Sequence, residues 1–248
     1  MKPRIAIPLP HGGDPEYALR AIPQYERAVE FSGGEPVRIP LDRTPAEVMK
    51  LIEHCDAVLL PGSKADVDPA KFDAPRHPKT EAADSLRDTV DELLLQDAYN
   101  MRKPVLGICY GLQILNVYRS GNLLQHIESP VNHEAGRKVA VAHSVKIDSG
   151  SLLGKIVGES SIPANSSHHQ AAGDLIGDGL RVVAHCAEDN VIEGIEGTDP
   201  GHFVLAVQWH PERSYDDDPR SRALFTALVN AAAQRHREMA GEFEAAER

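Results

Sequence analysis

The stretch VLGICYGLQ, residues 105–113, contains the turn that decides the fold. Aliphatic residues at 105–108 predict a buried strand, and the apolar spacing of 112–118 predicts a helix soon after it. Between them, Cys109 has a glycine two positions away on each side. Such glycines permit a turn sharp enough to force the central residue into a strained backbone, as at a nucleophile elbow. The segment therefore favours an α/β fold that presents Cys109 as a nucleophile.

Two features of this turn suit thiol chemistry. The positive end of the following helix favours the thiolate of Cys109 over the thiol. The backbone N–H of Tyr110 can point at the oxyanion that forms on an attacked carbonyl. The other two cysteines, Cys55 and Cys186, lie at the end of a predicted helix and in a predicted strand. We interpret them as buried structural residues.

Strand-like and helix-like segments alternate through the first half of the chain, and strands are denser in the second half. This order predicts a mainly parallel central sheet with helices on both faces and a small mixed or antiparallel portion. We expect a single domain over 1–240 and a frayed charged tail over 241–248. The predicted strands are 4–8, 36–39, 56–60, 104–108, 138–147, 181–185, 191–195 and 203–207, and the predicted helices are 15–32, 44–55, 85–100, 112–118 and 220–237.

Composition and charge exclude several classes of partner. The 248-residue chain has a formal net charge of −11, which argues against binding to nucleic acid or to an anionic membrane surface. It has neither a signal peptide pattern nor an apolar stretch of the roughly 20 residues that a membrane helix needs. We therefore expect a cytoplasmic protein. The 3 cysteines form no CxxC pair, so no disulfide framework is predicted.

A candidate base lies near the end of the chain, in the segment QWHPER at 208–213. It follows a predicted strand, so His210 stands where strand ends meet and can reach Cys109. Glu212, two residues further on, can accept a hydrogen bond from the imidazole and fix its tautomer. A surface His-Pro-Glu turn is the alternative, and only the pairing with the elbow favours a catalytic role.

Together, the two segments resemble the class I glutamine amidotransferase superfamily, whose glutaminase domains carry a G-x-C-x-G-x-Q elbow and a W-H-P-E base motif. Further segments are similar to one branch, the γ-glutamyl-γ-aminobutyrate hydrolase family. Six segments in the family's order, spread over nearly the whole chain, carry this resemblance. The additional four are YERAVEFSGGEPVRIP at 25–40, LPGSKADVDP at 60–69, Arg87-Asp88 and NSSHHQ at 165–170.

The resemblance implies a flavodoxin-like α/β fold and hydrolysis of γ-glutamyl amides through a thioester, without a metal or an organic cofactor. The substrate is then a small γ-glutamyl molecule, such as γ-glutamyl-γ-aminobutyrate from putrescine breakdown. The implied catalytic roles are Cys109 as nucleophile, His210 as base and Glu212 as the residue that orients the base. The implied oxyanion hole consists of the backbone N–H groups of Tyr110, Gly62 and Ser63. The implied substrate contacts are Gln113, Ser166, Ser167, His168 and His169.

The chain departs from the family pattern at three points. Tyr110 stands where the family usually has Arg or Lys, so we expect residue 110 to affect which amine is released. Ser63 replaces a glycine of the oxyanion loop, and Ser120 replaces the first of two glycines after the elbow helix. A γ-glutamyl conjugate outside polyamine breakdown is therefore nearly as well supported as the family's named substrate.

Two other functions remain compatible with the sequence. One is a glutaminase subunit that delivers ammonia to a synthetase partner, and the other is a non-catalytic family member that binds γ-glutamyl compounds. A homodimer is left open. The sequence spacing of the histidines forms neither HExxH nor a His/Cys cluster, so we expect no metal site. The histidines considered are His133, His143, His168, His169, His185 and His202.

Overall fold

The computed structural model describes the backbone of residues 2–246 and the side chains of residues 2–239. The strands are β1 (Arg4–Pro8), β2 (Glu35–Ile39), β3 (Ala57–Leu60), β4 (Val105–Ile108), β5 (Leu123–Leu124), β6 (His143–Ile147), β7 (Ser161–Ala164), β8 (Ala171–Ala172), β9 (Leu180–Cys186), β10 (Ile192–Gly197) and β11 (Val204–Val207). The helices are α1 (Pro15–Phe31), α2 (Pro45–Ile52), α3 (Ser85–Met101), α4 (Tyr110–Tyr118), α5 (Leu152–Val157), α6 (Pro211–Ser214) and α7 (Pro219–Ala246).

Within residues 2–246, one nine-stranded sheet has the order β2-β1-β3-β4-β11-β10-β9-β6-β7. The strands from β2 to β11 in this order pair in parallel, and the rest extend the sheet with antiparallel pairs. The predicted α/β architecture is confirmed. Its antiparallel part is larger than expected, because it contains β10, β9, β6 and β7, and β5 pairs separately with β8.

Two hydrophobic cores cover the two faces of the sheet. Alternate residues of a strand enter different cores, as the strand pleat requires: Ile5 and Ile7 of β1 enter one core and Ala6 the other. Helices α1, α5 and α7 supply the first core, and α2, α3 and α4 supply the second. The sheet is therefore fixed from both sides, which holds the ends of its central strands in place.

Three neighbouring strands, β3, β4 and β11, end at the same edge of the sheet. Parallel strands bring their carboxyl ends together, and open α/β sheets place their sites there. The loop at 61–63 follows β3, Cys109 follows β4, and the segment 208–213 follows β11. The fold thus gathers the predicted nucleophile, base and oxyanion loop at one edge.

Several predicted boundaries were wrong. Helix α4 begins at Tyr110, two residues earlier than predicted, and only 143–147 of the predicted strand 138–147 is a strand. The short elements α5 and β7 were missed because neither is long enough to show a periodic pattern. The backbone of the predicted frayed tail is helical as far as Ala246, where α7 ends, and residues 247–248 lie outside the described part of the chain. Among residues 2–246, no helix combines the length and apolarity needed to cross a bilayer.

Candidate active site

Cys109 occupies a strained turn between β4 and α4. Its φ of 54° and ψ of −106° are values that a non-glycine residue rarely adopts. A Cβ on Gly107 would lie 2.7 Å from the carbonyl oxygen of Gly111, and a Cβ on Gly111 would lie 2.3 Å from the carbonyl oxygen of Leu60. Both glycines are therefore required by close backbone packing, as the sequence pattern predicts.

His210 and Glu212 form a buried pair just beyond β11. The Nδ1 atom of His210 lies 2.8 Å from Oε1 of Glu212. Asn165 holds the backbone of His210 from both sides: its Oδ1 accepts from the His210 N–H at 3.0 Å, and its Nδ2 donates to the His210 carbonyl at 2.9 Å. With Nδ1–H directed at Glu212, the lone pair of His210 lies on Nε2, where a base needs it.

Gly62 lies between the nucleophile and the base. A Cβ built on Gly62 would lie 3.0 Å from Cε1 of His210 and 3.5 Å from Cβ of Cys109. The structure thus brings Cys109 and His210 together around this glycine, although they are 101 residues apart in the chain. All three residues are buried, so little of the site is exposed to bulk water.

The protonation states at the site follow from this burial. Burial raises the pKa of the Cys109 thiol to about 12, against the opposing effect of Arg213. Burial also lowers the pKa of His210, although Glu212 acts in the other direction. Burial opposes ionisation of Glu212, but His210 and Arg213 outweigh it and hold the pKa of Glu212 below its ordinary value. Burial therefore favours a neutral thiol beside a neutral imidazole, and these pKa shifts do not support the thiolate that the helix N-terminus was expected to favour.

The predicted oxyanion donors differ in their availability. Tyr110 is the first residue of α4 and directly follows Cys109, so its backbone N–H is one of those that have no acceptor within the helix. The N–H of Gly62 instead donates to the hydroxyl of Tyr25 at 3.1 Å. That hydroxyl in turn donates to Oε1 of Glu212 at 3.2 Å. Half-buried Ser63 accepts from the N–H of Ala65 through its side chain at 3.1 Å. The Gly62 N–H is thus engaged away from Cys109.

The side chain of Tyr110 does not line the site. It is 1% exposed, and its hydroxyl donates to the carboxylate of Asp88. The guanidinium carbon of Arg87 lies 4.9 Å from the centre of its ring. The ring points between α3 and α4, so residue 110 does not contact the site through its side chain, and its effect on which amine is released stays a prediction.

Arg87, the first residue of the predicted Arg-Asp pair, supports the oxyanion loop. It is fully buried and its Nε lies 2.8 Å from both carboxylate oxygens of Asp91. Its two terminal nitrogens donate to the carbonyls of Pro10 at 3.1 Å and Pro61 at 2.7 Å. Because Pro61 directly precedes Gly62, Arg87 fixes the start of the loop that borders His210 and Cys109.

Three of the five predicted substrate contacts, Ser166, His168 and Gln113, are directed at other protein groups. The buried Ser166 hydroxyl donates to the carbonyl of His133 at 2.8 Å, and buried His168 points its Nε2 at Glu193. Both side chains contact other protein groups, so the structure does not support these two assignments. Gln113 uses its amide nitrogen on the carbonyl of Gln170 at 3.1 Å.

The two remaining predicted contacts are more accessible. Ser167 is half-buried, and half-buried His169 pairs through Nε2 with Asp66 at 3.0 Å. Both stay predictions. Two polar residues that the sequence analysis did not assign, Tyr25 and Asn165, contact the His210–Glu212 pair directly. Asn165 stands at the start of the NSSHHQ segment, and Tyr25 at the start of the segment 25–40, so the family resemblance was the available signal for both.

Comparisons with known proteins agree with this geometry. The peptidase C26 family model matches residues 12–212. A Mycobacterium tuberculosis protein, provisionally named as a glutamine amidotransferase, is 40% identical over 215 residues. That alignment covers 84% of this chain and 66% of the relative. This chain therefore spans just under two thirds of the relative's length. The γ-glutamyl-γ-aminobutyrate hydrolase of Escherichia coli strain K12 is 31% identical over 220 residues, which is 84% of each protein.

Two solved structures share the fold at 17% sequence identity. A Thermoplasma acidophilum protein, provisionally named as one of the subunits of GMP synthase, has a TM-score of 0.68 and covers 97% of this chain and 98% of its own. The glutaminase domain of Trypanosoma brucei CTPS, with bound acivicin, has a TM-score of 0.64 over 94% of both chains. The family match and the relatives above 30% identity establish the relationship that the motifs indicate. The chain belongs to the peptidase C26 family of class I glutamine amidotransferase-like hydrolases.

Proposed function

We propose that this protein hydrolyses γ-glutamyl amides through a thioester on Cys109, with His210 as base and Glu212 as the residue that orients it. The observation that carries the proposal is that the strained elbow at Cys109 lies beside the buried His210–Glu212 pair. A backbone in this rare conformation persists only where the surrounding structure enforces it, and such positions cluster at active sites.

The proposed reaction begins from the neutral pair. As Cys109 Sγ attacks the γ-carbonyl carbon, its proton passes to Nε2 of His210, and Glu212 stabilises the imidazolium that forms. His210 then returns this proton to the leaving amine as the C–N bond breaks. In the second half, His210 takes a proton from water, the water oxygen attacks the thioester carbon, and the proton returns to Sγ as glutamate departs.

The oxyanion in this proposal is held first by the N–H of Tyr110. One such backbone donor contributes roughly 3–4 kcal/mol to transition-state stabilisation. A second donor comes from the loop at Gly62 and Ser63. The Gly62 N–H serves only if it leaves the Tyr25 hydroxyl, so substrate binding is expected to shift this loop. The Ser63 N–H is the alternative donor.

The leaving amine is proposed from the charges around the site. Lys64 directly follows Ser63 of the oxyanion loop, which borders Cys109 and His210 at Gly62. The ammonium of Lys64 lies 4.9 Å from the Tyr17 ring centre and 2.8 Å from Asp14. Its side chain is 52% exposed. Lys64 can thus pair with a carboxylate on the leaving amine, as γ-aminobutyrate carries.

The substrate class we propose is therefore a γ-glutamyl amide whose amine carries an acidic group, with γ-glutamyl-γ-aminobutyrate as the leading example. The Escherichia coli hydrolase named for that compound is a relative at 31% identity, which supports the choice. Such a reaction belongs to amine catabolism, including that of putrescine.

A hydrolysis screen tests the proposal. Wild-type protein is assayed with γ-glutamyl-γ-aminobutyrate, γ-glutamyl-putrescine, a γ-glutamyl amide of a neutral amine, and free glutamine. Cys109→Ser should abolish turnover, whereas Cys55→Ser should retain it, because Cys55 is a buried residue in the turn between α2 and β3. Turnover of glutamine alone would contradict the proposed substrate and favour an ammonia-supplying glutaminase. Absence of turnover with every compound, in folded protein, would favour the non-catalytic alternative.

A further inference from the structure

Four side chains outside the candidate active site converge inside the antiparallel half of the fold. His133, His143, His168 and Glu193 are all buried, at 3%, 5%, 6% and 0% exposure. Each offers one nitrogen or oxygen atom, and these atoms all lie within 4.8 Å of one another. The four residues come from two loops, from the start of β6 and from β10, so their sequence spacing gives no sign of the cluster.

The atoms that face one another in this cluster have no hydrogen-bond partner among the described residues. They are Nδ1 of His133, Nε2 of His143, Nε2 of His168 and Oε1 of Glu193, and Oε2 of Glu193 also has no partner. Buried polar atoms are almost always paired, because leaving them unpaired costs the free energy of their lost hydration. Several unpaired atoms pointed at one centre therefore indicate a group that binds there.

The distances fit a metal ion better than direct hydrogen bonds. Oε1 of Glu193 lies 3.5 Å from Nδ1 of His133, 3.3 Å from Nε2 of His143 and 3.6 Å from Nε2 of His168. These separations exceed the usual N–H···O range. Zinc bonds of 2.0–2.2 Å at tetrahedral angles place neighbouring ligand atoms about 3.3–3.6 Å apart. The distances from Oε1 of Glu193 to the three imidazole nitrogens therefore match those between neighbouring ligands of a zinc ion.

The opposite ring nitrogens of the histidines are directed at acceptors. His133 directs Nε2 at Oδ2 of Asp189, 2.9 Å away, and His168 directs Nδ1 at the carbonyl of Gln170, also 2.9 Å away. Nδ1 of His143 faces the carbonyl of the next residue at 3.4 Å. A proton on each of these outer nitrogens leaves a lone pair on the inner one. Metal-binding histidines are oriented by carboxylates and carbonyls in this way.

We propose that His133, His143, His168 and Glu193 form a closed four-coordinate site for a divalent transition-metal ion, with Zn²⁺ the best match. Imidazole and carboxylate ligands suit zinc, and a site with four protein ligands is typical of a structural rather than a catalytic ion. A surface cavity of about 310 Å³ is lined by His133 and His168 and offers an access route.

Such an ion would fix the segment that holds the proposed base. The backbone N–H of His168 donates to the carbonyl of His133 at 2.9 Å, and the Ser166 hydroxyl donates to the same carbonyl. Asn165, next in this segment, holds the backbone of His210 on both sides. The ion would therefore tie together the loop around His133, the segment 165–170 and β10.

Metal analysis of the full-length protein tests the proposal. Protein purified without a metal-affinity tag or chelator, loaded with Zn²⁺ and dialysed, should retain about one zinc per chain. Replacement by Co²⁺ should give the intense visible absorption of a four-coordinate ion, whereas Mg²⁺ should leave the melting temperature unchanged. Zinc below about a tenth per chain after loading, without a cobalt band, would overturn the proposal.

A matched pair of variants locates the ion. His168→Gln should weaken zinc binding at least tenfold, whereas His169→Gln should not, because the ring of His169 pairs with Asp66 instead. Glu193→Gln keeps the shape of the side chain and should also lose the ion. Retention of the ion by folded Glu193→Gln and His168→Gln, or an equal loss in His169→Gln, would contradict the site. These measurements do not depend on catalysis, so their outcome is independent of whether the proposed hydrolysis is correct.

Discussion

Cys109 stands at an elbow suited to nucleophilic attack, yet burial raises the pKa of its thiol to about 12. A cysteine nucleophile is active as the thiolate, so the proton has to leave during the reaction. Burial lowers the pKa of His210, which favours its neutral form, and both His210 and Cys109 border Gly62, so His210 is the natural acceptor. The site therefore resembles a serine–histidine pair, in which the base acts at the moment of attack, more than a resting thiolate–imidazolium pair.

The protonation of His210 predicts the acid side of the pH profile. Burial lowers the pKa of His210, so the neutral imidazole persists as the pH falls below about 6.5, the ordinary histidine value. We expect kcat/KM to stay level down to that pH and to decline only below it. Rate measurements from pH 4 to pH 9 check this, over the range where histidine and carboxyl groups titrate. A decline that begins well above pH 6.5 would contradict the neutral pair.

Glu212 should set both the orientation and the pKa of His210. Glu212→Gln removes the carboxylate that opposes the lowering of the His210 pKa, so the acid limb should move to still lower pH. Loss of the oriented tautomer should reduce kcat by about 10²–10⁴-fold. Steady-state kinetics of this variant measure both effects. An unchanged kcat would show that the pair at 2.8 Å has no role in the reaction.

Tyr25 links the oxyanion loop to Glu212, and its removal should cost stability. Tyr25→Phe leaves the buried N–H of Gly62 without its acceptor, so the free energy of unfolding should fall by about 1–3 kcal/mol. Urea denaturation measures this change. Tyr118→Phe is the control, since Tyr118 lies at the partly exposed end of α4 and should change stability by less than about 0.5 kcal/mol. Equal stability of Tyr25→Phe and wild type would contradict the link.

Lys64 should discriminate between leaving amines. In Lys64→Gln, the KM for γ-glutamyl-γ-aminobutyrate should rise about tenfold, because an attraction to the leaving carboxylate is lost. The KM for a γ-glutamyl amide of a neutral amine should stay the same. Lys155→Gln, on α5, is the control for a general charge effect. An equal rise in KM for both substrates would show that Lys64 does not recognise the leaving amine.

At the scale of elements, α4 ends in a turn that normally uses glycine. The N–H of Gly121 donates to the carbonyl of Asn116, and the N–H of Ser120 donates to that of Val117, which is the Schellman pattern. Ser120 has a φ of 71°, the left-handed conformation that a side chain disfavours. The helix that begins at the nucleophile therefore ends with local strain.

Ser120→Gly should relieve this strain and raise the free energy of unfolding by about 1 kcal/mol. Thermal or urea denaturation measures the gain. Ser120→Ala keeps a Cβ at the same position, so we expect no gain from it. A stability increase in Ser120→Ala as large as in Ser120→Gly would show that backbone strain is not the cause.

At the scale of the whole molecule, the features that sequence could predict are those set by short-range patterns. The elbow depends on glycines two residues from Cys109, and His210 and Glu212 are also two residues apart. The parallel strands are long enough to show aliphatic runs. These local signals placed the proposed nucleophile and base at strand ends, and the order of strands in the sheet makes β4 and β11 neighbours.

The features that sequence did not reveal depend on contacts between distant segments. The Tyr25–Glu212 bond joins residues 187 positions apart, and the buried cluster draws residues from 133 to 193. The direction of the Tyr110 ring was missed for the same reason, since it depends on the packing of α3 against α4. Spacing rules describe ligands within one element, so they gave no sign of the histidine cluster.

The central claim, a γ-glutamyl thioester on Cys109, is tested most directly by locating the acyl group. The enzyme is quenched with acid while it turns over the γ-glutamyl amide that it hydrolyses fastest, and its peptides are mapped by mass spectrometry. The account predicts one γ-glutamyl group on the peptide that contains Cys109, and none on the peptides of Cys55 and Cys186. A γ-glutamyl group on any other residue, or undiminished turnover by Cys109→Ser, would contradict it.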